Sequence, residues 1–267
     1  MKLVFSEHKS DYTNYIFPYA IWGFPESGEN PVDMFNQGFL PSSRNLDRFY
    51  LCRNVRVVLQ EMTLTSENRR VKRKGAGITH TLMTRAQFEY TAKRREFYKN
   101  YTDIRFGKDV MTYERLDALF NSPITSHVIL FVDNATNAEL GAVTLYMEKD
   151  IAYYYYGFYD LNYYSRNLGM YMMVSAVEMF HKMNLRYLYL GSCYSQNALY
   201  KTQFTGAEFF NGVRWSRDMD ELKYLINREK KEIRQHLLET VEYRDLFYEG
   251  KLDSLVASSA FEVKINT

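Results

Sequence analysis

Five cations, Arg69, Arg70, Lys72, Arg73 and Lys74, fall within six positions and face one nearby acid, Glu67. On a helix they would cover most of the circumference, so they cannot all pair within it. The chemistry open to such a cluster is phosphate binding, by displacing counterions from a nucleic-acid backbone. A solvated helix face has the same composition, and composition does not choose between the two. The second stretch able to do chemistry runs from Ala152 to Trp215. It begins with the aromatic run Tyr153 to Tyr159, crosses a polar loop from Asp160 to Asn167, and enters a helical run at Leu168-Gly169. The first N–H groups of such a helix lack partners within it, and its dipole favours an anion there. Gly169 has no Cβ, which leaves room for a ligand against the backbone. The chain has 24 tyrosines against two tryptophans. These serve either as half-buried strand residues or as stacking platforms for bases. No Ser-His-Asp or Cys-His arrangement is apparent. Cys52 and Cys193 make neither a disulfide framework nor a zinc quartet. Cys193 reads as a small buried residue and His181 as a structural one.

The elements that must hold these residues follow from patterning. A short helix is expected over Val32 to Asn36, a strand within Phe49 to Leu64, and a helix start at Thr65-Ser66-Glu67-Asn68. Ala76 to Thr84 reads as strand, with Thr84 capping a helix over Arg85 to Tyr101 and a second helix over Tyr113 to Asn121. His127 to Asp133 and Glu139 to Glu148 form a hairpin about Asn134 to Asn137. Then come the aromatic strand, a helix from Leu168 to about Met183, a strand over Tyr187 to Leu190, a short helix around Ala198 to Phe204, and a strand near Phe209 to Trp215. Residues 219 to 248 read as one long helix or two shorter ones, with Leu222, Leu225, Ile226, Ile233, Leu237 and Leu238 as the apolar stripe. Phe261 to Ile265 could add an edge strand. This order resembles the core of the GNAT acyltransferases, and Arg166-Asn167-Leu168-Gly169-Met170 looks like a degenerate form of their pyrophosphate loop. The expected class is α+β, three-layered, with a mixed and largely antiparallel sheet. The expected division is 1–122, an amino-terminal α+β region bearing the basic patch; 123–218, the GNAT-like domain; and 219–267, a helical extension.

With 267 residues and 46% hydrophobic composition, the chain can build a sizeable core. Its net charge of +2 leaves any nucleic-acid affinity to a local patch. The start, MKLVFSEHKSDYTNY, lacks the apolar segment of a signal peptide, and no apolar run approaches a membrane span. A cytoplasmic chain with no membrane partner is expected, in keeping with its cysteine usage.

Several stretches together resemble the aminoacyl-tRNA–protein transferases, the arginyl- and leucyl-transferases of the N-degron pathway. These are Gly38-Phe39, Cys52 to Val57, Ser66 to Arg73, Phe88 through Arg105, Met111 through Phe120, Tyr155 to Asp160, Leu168-Gly169-Met170-Tyr171, Leu190-Gly191, Tyr200 to Phe204 and Arg214-Trp215. They keep family order across roughly residues 36 to 216. The resemblance implies transfer of an amino acid from aminoacyl-tRNA to the α-amine of a protein or peptide terminus, with no cofactor and no metal. It implies an acceptor stem over Arg69, Arg70, Lys72 and Arg73, and a terminal adenosine near Arg166 and Gly169 with Tyr156 or Tyr171 stacked on it. It also implies catalytic roles for Tyr200 and Lys201 in orienting or protonating the ester, and for Asp160 in holding an ammonium group. The bland roles of these residues are packing, a surface ion pair and turn capping. The chain departs from the family in four places, one of them a shorter turn between Gly191 and Tyr200. Only Cys52 stands where the family usually carries several cysteines. Arg105-Phe106 replaces an Arg-His pair. Gly38-Phe39-Leu40-Pro41-Ser42-Ser43 replaces Gly-Phe-Arg-Arg-Ser-Gly. Two other functions fit the same residues: a GNAT N-acetyltransferase using acetyl-CoA, and a non-catalytic module binding tRNA or amino termini.

Overall fold

A computed structural model describes residues 1–13, 16–228, 230, 233 and 235–261, except for the side chains of 164–166. In chain order its elements are β1 (Lys2–Glu7), β2 (Tyr19–Phe24), α1 (Pro31–Asn36), β3 (Phe39–Pro41), β4 (Phe49–Leu51), β5 (Asn54–Val58), α2 (Ser66–Lys74), β6 (Ile78–Thr84), α3 (Ala92–Phe106) and α4 (Tyr113–Phe120). They continue with β7 (His127–Asp133), β8 (Glu139–Glu148), β9 (Ile151–Tyr159), α5 (Leu168–Lys182), β10 (Tyr187–Ser192), β11 (Ala207–Phe210), β12 (Trp215–Ser216), α6 (Met219–Arg228), α7 (Val241–Phe247) and α8 (Leu252–Ala257).

An eight-stranded sheet runs in the order β12-β11-β5-β10-β9-β8-β7-β6, and a smaller sheet runs β1-β2-β4-β3. In the large sheet only β9 and β10 pair in parallel. Helix α5 makes the crossover between them, as a parallel pair requires. The layers are α+β, with α5, α2 and α6 packed into the core on one face and α1, α3 and α4 into that on the other. This is the expected class, and β7-β8-β9-α5-β10 is the expected GNAT-like order. The large sheet takes strands from both sides of residue 122, since β5 and β6 lie within it. All five residues of β5 are buried, as a strand covered on both faces must be.

Several boundaries differ from expectation for local reasons. Thr84 caps only a 3-10 turn, Arg85–Gln87, and α3 starts at Ala92 under a Thr91 cap that accepts from the Arg94 N–H. Phe88 is extended and buried between them, stacked on Phe120 at 5.6 Å, so its burial overrides helix continuation. The loop after β9 contains a 3-10 segment over Leu161–Arg166, and the short helix near residue 200 is a 3-10 segment over Gln196–Thr202. The last expected strand is broken into β11 and β12 by a turn in which Asn211 Oδ1 accepts from the Val213 and Arg214 N–H groups. Leu222, Leu225 and Ile226 are buried as the stripe requires, whereas Ile233 and Leu238 are exposed. Of the expected edge strand, Phe261 packs on Phe39 and Phe210 without strand pairing, and residues 262–265 lie outside the described residues. Among the described residues no helix is long and apolar enough to cross a membrane.

Candidate functional site

The site begins with a failure of pairing. Strands β9 and β10 match only from Ile151↔Tyr187 to Tyr153↔Tyr189, and β9 then runs on to Tyr159 alone on that side. Two irregularities drive the strands apart. Tyr155 is an extra residue on β9 between the partners of Thr144 and Leu145, and β10 shifts register against β5 between Tyr189 and Gly191. Bulges of this kind raise local twist and end a ladder. The gap is a cleft of about 590 Å³. Its walls are the tyrosines of β9, the first turn of α5, the Tyr101–Arg105 end of α3, and Tyr200-Lys201.

Asn167 precedes α5 in the left-handed conformation at φ 57° and makes no side-chain cap, so among the described residues no side chain closes off the amides of the first turn. Leu168, Gly169 and Met170 all border the cleft. A Cβ on Gly169 would lie 2.9 Å from the Tyr159 ring, so without this glycine the ring would have to shift. The Tyr159 ring is in turn held against Tyr101, 4.9 Å between centroids. Tyr156 lines the same wall, edge-on to Tyr155 at 4.6 Å and to Phe106 at 6.3 Å. Burial raises its hydroxyl above the usual tyrosine range, while Arg44 and Arg115 oppose the shift.

Lys201 reaches in from the opposite wall, and its Nζ donates to the Ser192 carbonyl at 2.8 Å. Gly191, at φ 84°, leaves that ammonium room: a Cβ there would lie 3.4 Å from Nζ. Burial holds the Lys201 ammonium below the ordinary lysine range, with the thiols of Cys193 and Cys52 pulling the other way. Cys52 itself is pushed up to about 12 by burial. Tyr200 is half exposed beside it. Burial again raises its hydroxyl, the Tyr159 hydroxyl adds to the shift, and Arg105 opposes it.

Four of the residues singled out in the sequence, Tyr156, Gly169, Tyr200 and Lys201, therefore meet in one cleft. Two do not. Tyr171 is buried on the far side of α5's first turn. Its hydroxyl donates to the Ile78 carbonyl at 3.0 Å and its ring fills the space left by Gly75, so it offers no face for a base to stack on. Asp160 caps a turn. Its Oδ1 accepts from the Asn162 backbone and side-chain N–H groups, each at 2.9 Å, and it is not part of the cleft wall. The side chain of Arg166 lies outside the described residues.

The basic run forms α2, started by a reciprocal cap between Thr65 and Asn68 and anchored by buried Val71. Its cations are only partly free. Arg70 pairs with Glu67, Lys72 pairs with Glu178 of α5, and Arg69 donates to the Leu64 carbonyl. Arg73 is exposed. The helix packs along α5, and Glu67 in its first turn borders the cleft, so shelf and cleft adjoin there. Arg105, Tyr101 and Tyr159 are site residues that periodicity did not single out. The signals available were the density of tyrosines and, for Arg105 and Tyr159, the stretches that resemble the family, because which rings converge depends on the strand bulge. His181 is structural as expected, with Nδ1 against the Leu59 carbonyl at 2.7 Å.

An uncapped helix start, an aromatic wall and a buried ammonium suit an activated acyl group attached to a planar ring. Comparison with known proteins narrows this. Residues 93–211 match the family model described as "Arginine-tRNA-protein transferase, C terminus". The matched segment is similar to that family over somewhat less than half of the chain. The matched segment contains every residue of the cleft wall except Glu67. An aspartate/glutamate leucyltransferase from Ruegeria pomeroyi is 26% identical over 171 residues, covering 61% of this chain and 61% of that protein. One from Ruegeria sp. strain TM1040 is 31% identical over 126 residues, covering 45% of this chain and 46% of the relative. The chain thus spans about three fifths of the length of the first relative it matches. Among solved structures, a GCN5-related N-acetyltransferase from Sphaerobacter thermophilus is 12% identical with a TM-score of 0.34, covering 60% of this chain and 45% of that one.

Proposed function

We propose that this protein is an aminoacyl-tRNA–protein transferase, which moves an amino acid from charged tRNA to the α-amine of a protein or peptide terminus in the cytoplasm. The observation that carries the reading is that the segment matching the transferase family model holds all of the cleft wall except Glu67. The acceptor amine attacks the ester carbonyl, the C–N bond forms, the ester C–O bond breaks, and the amine proton ends on the departing ribose hydroxyl. The ester is already activated, so positioning is the main task, and it contributes about 7–11 kcal/mol of barrier lowering in well-oriented systems. An N–H or hydroxyl aimed at the oxyanion contributes about 3–4 kcal/mol more. Lys201 and Tyr200 would orient the ester and supply the leaving oxygen's proton. The adenosine would lie by Gly169 with its base on Tyr156. The acceptor stem would cross α2, contacting Arg69, Arg70 and Arg73, with Lys72 shared with Glu178. The relatives' name makes leucine and acidic first residues the first donor–acceptor pair to try.

The test is incubation with radiolabelled aminoacyl-tRNAs and peptides differing in their first residue. Label should move from tRNA to peptide. The Arg69→Glu/Arg70→Glu double variant should abolish transfer, weaken tRNA binding and lower the slope of log affinity against log salt by about 1.5–2. An unchanged salt slope would remove α2 from the interface. Thermal stabilisation by acetyl-CoA, without transfer from any tRNA, would replace the reading with N-acetylation.

A further inference from the structure

A second recess, of about 980 Å³, opens beside the cleft and shares Phe106, Tyr155 and Tyr156 with it. Three arginines line it: Arg44 and Arg48 from the loop between β3 and β4, and Arg115 from α4. Each spends one N–H inside the protein. Arg44 donates to the Arg115 carbonyl at 3.4 Å, Arg48 to Ser42 Oγ at 3.0 Å, and Arg115 to the Val110 carbonyl at 2.8 Å. Among the described residues none of the three has a carboxylate within ion-pair distance, in contrast to Arg70 and Lys72 of α2. A guanidinium has five donors in a planar fork suited to a carboxylate, so three of them around one recess with no internal anion form a seat for an external one.

The seat lies on a definite side of the molecule. Its apolar lining, Met111 and Leu119, belongs to the core on the α3–α4 face, whereas α5 and α2 pack into the core on the opposite face. Burial raises the hydroxyls of Tyr155 and Tyr156, and Arg44 opposes the rise in both. If the RNA end enters beside α5 and α2, the acceptor amine must come from the remaining side, where this recess meets the cleft. We infer that Arg44, Arg48 and Arg115 receive the side-chain carboxylate of an acidic first residue on the acceptor and so set acceptor specificity. The inference rests on the transfer reading. An RNA phosphate is the competing anion, but the recess belongs to the α3–α4 face, opposite the core into which α2 and α5 pack, which favours the acceptor over the acceptor stem.

The experiment uses the full chain and five peptides identical except for a first residue of Asp, Glu, Asn, Gln or Ala. Transfer is measured as kcat/KM, and peptide binding without tRNA by fluorescence anisotropy. Wild type should prefer Asp and Glu over their amides by at least about tenfold in both assays. Arg44→Gln/Arg115→Gln should erase that preference while leaving tRNA affinity and its salt slope unchanged. Arg44→Lys/Arg115→Lys should keep part of it, and an unchanged melting temperature in both shows that the fold is intact. Equal use of acid and amide peptides by wild type overturns the inference and leaves the transfer reading standing. So does a double variant that loses tRNA affinity and salt slope but keeps its peptide preference. Arginine-dependent binding of acidic peptides without transfer from any tRNA would sink the transfer reading alone. No peptide binding and no transfer would sink both.

Discussion

Lys201 sits where an ammonium is poorly solvated, with one carbonyl partner from Ser192 and two buried thiols nearby. Burial lowers its pKa below the ordinary 10.5, so between the lowered value and 10.5 the unfolded chain binds a proton that the folded chain has released. Stability must therefore rise with pH through that alkaline window. Lys201→Met should flatten this rise and leave the molecule at least as stable below the window, since no charge is then buried. Urea midpoints of both proteins across the window check the sign, and a steeper rise in the variant contradicts it. In the transfer assay the same variant should lose about a hundredfold or more, the usual effect of removing a positioned proton donor.

At the scale of elements, the cleft exists because β9 carries an extra residue and α5 starts without a cap. The two elements touch where Gly169 meets the Tyr159 ring, and that contact sets the width of the site. Gly169→Ala is instructive because its two effects oppose. Alanine in a helix gains about 0.5–1 kcal/mol over glycine, while its methyl must push the Tyr159 ring off Tyr101 and towards the cleft. We expect a change in unfolding free energy under about 1 kcal/mol by urea titration. Transfer should nevertheless fall by about tenfold or more, because a displaced ring occupies ligand space.

At the scale of the whole molecule, one buried ion pair ties the far end of the sheet together. Arg56 of β5 bonds Glu208 of β11 at 2.8–2.9 Å, with its guanidinium 3.9 Å from the Tyr187 ring centroid and 3.8 Å from that of Trp215. Glu208 also accepts from Arg217, which reaches Glu61. Strands β10, β5, β11 and β12 are thus linked through the Arg56–Glu208 pair. Glu208→Ala leaves Arg56 charged and without a carboxylate between two aromatic rings, and should cost about 3–5 kcal/mol in urea unfolding. A cost below 1 kcal/mol would show that water reaches the site and screens the guanidinium. Further out, Glu221 of α6 accepts from Ser216, Asn211 and Tyr243, which fastens the helical extension to the same sheet end.

The sequence by itself determined the elements whose signals are local. The Thr65–Asn68 cap started α2, alternation and turn residues made the β7–β8 hairpin, and the aromatic run followed by Leu168-Gly169 placed β9 and α5. The strand-loop-helix succession also brought Gly169 forward, while Tyr156, Tyr200 and Lys201 came forward through the family resemblance, and all four line the cleft. Partnership was decided in three dimensions. Tyr156 and Tyr171 are equally aromatic, yet one lines the cleft and the other is locked under Gly75, since helical phase and the neighbouring α2 choose the side. Asp160 became a turn cap because its nearest donors, those of Asn162, lie two residues away. Arg44, Arg48 and Arg115 are scattered over some seventy positions with no shared periodicity. Only the packing of α4 beside the loop between β3 and β4 makes them one recess, because electrostatic convergence depends on distance in space, which a linear spacing does not carry.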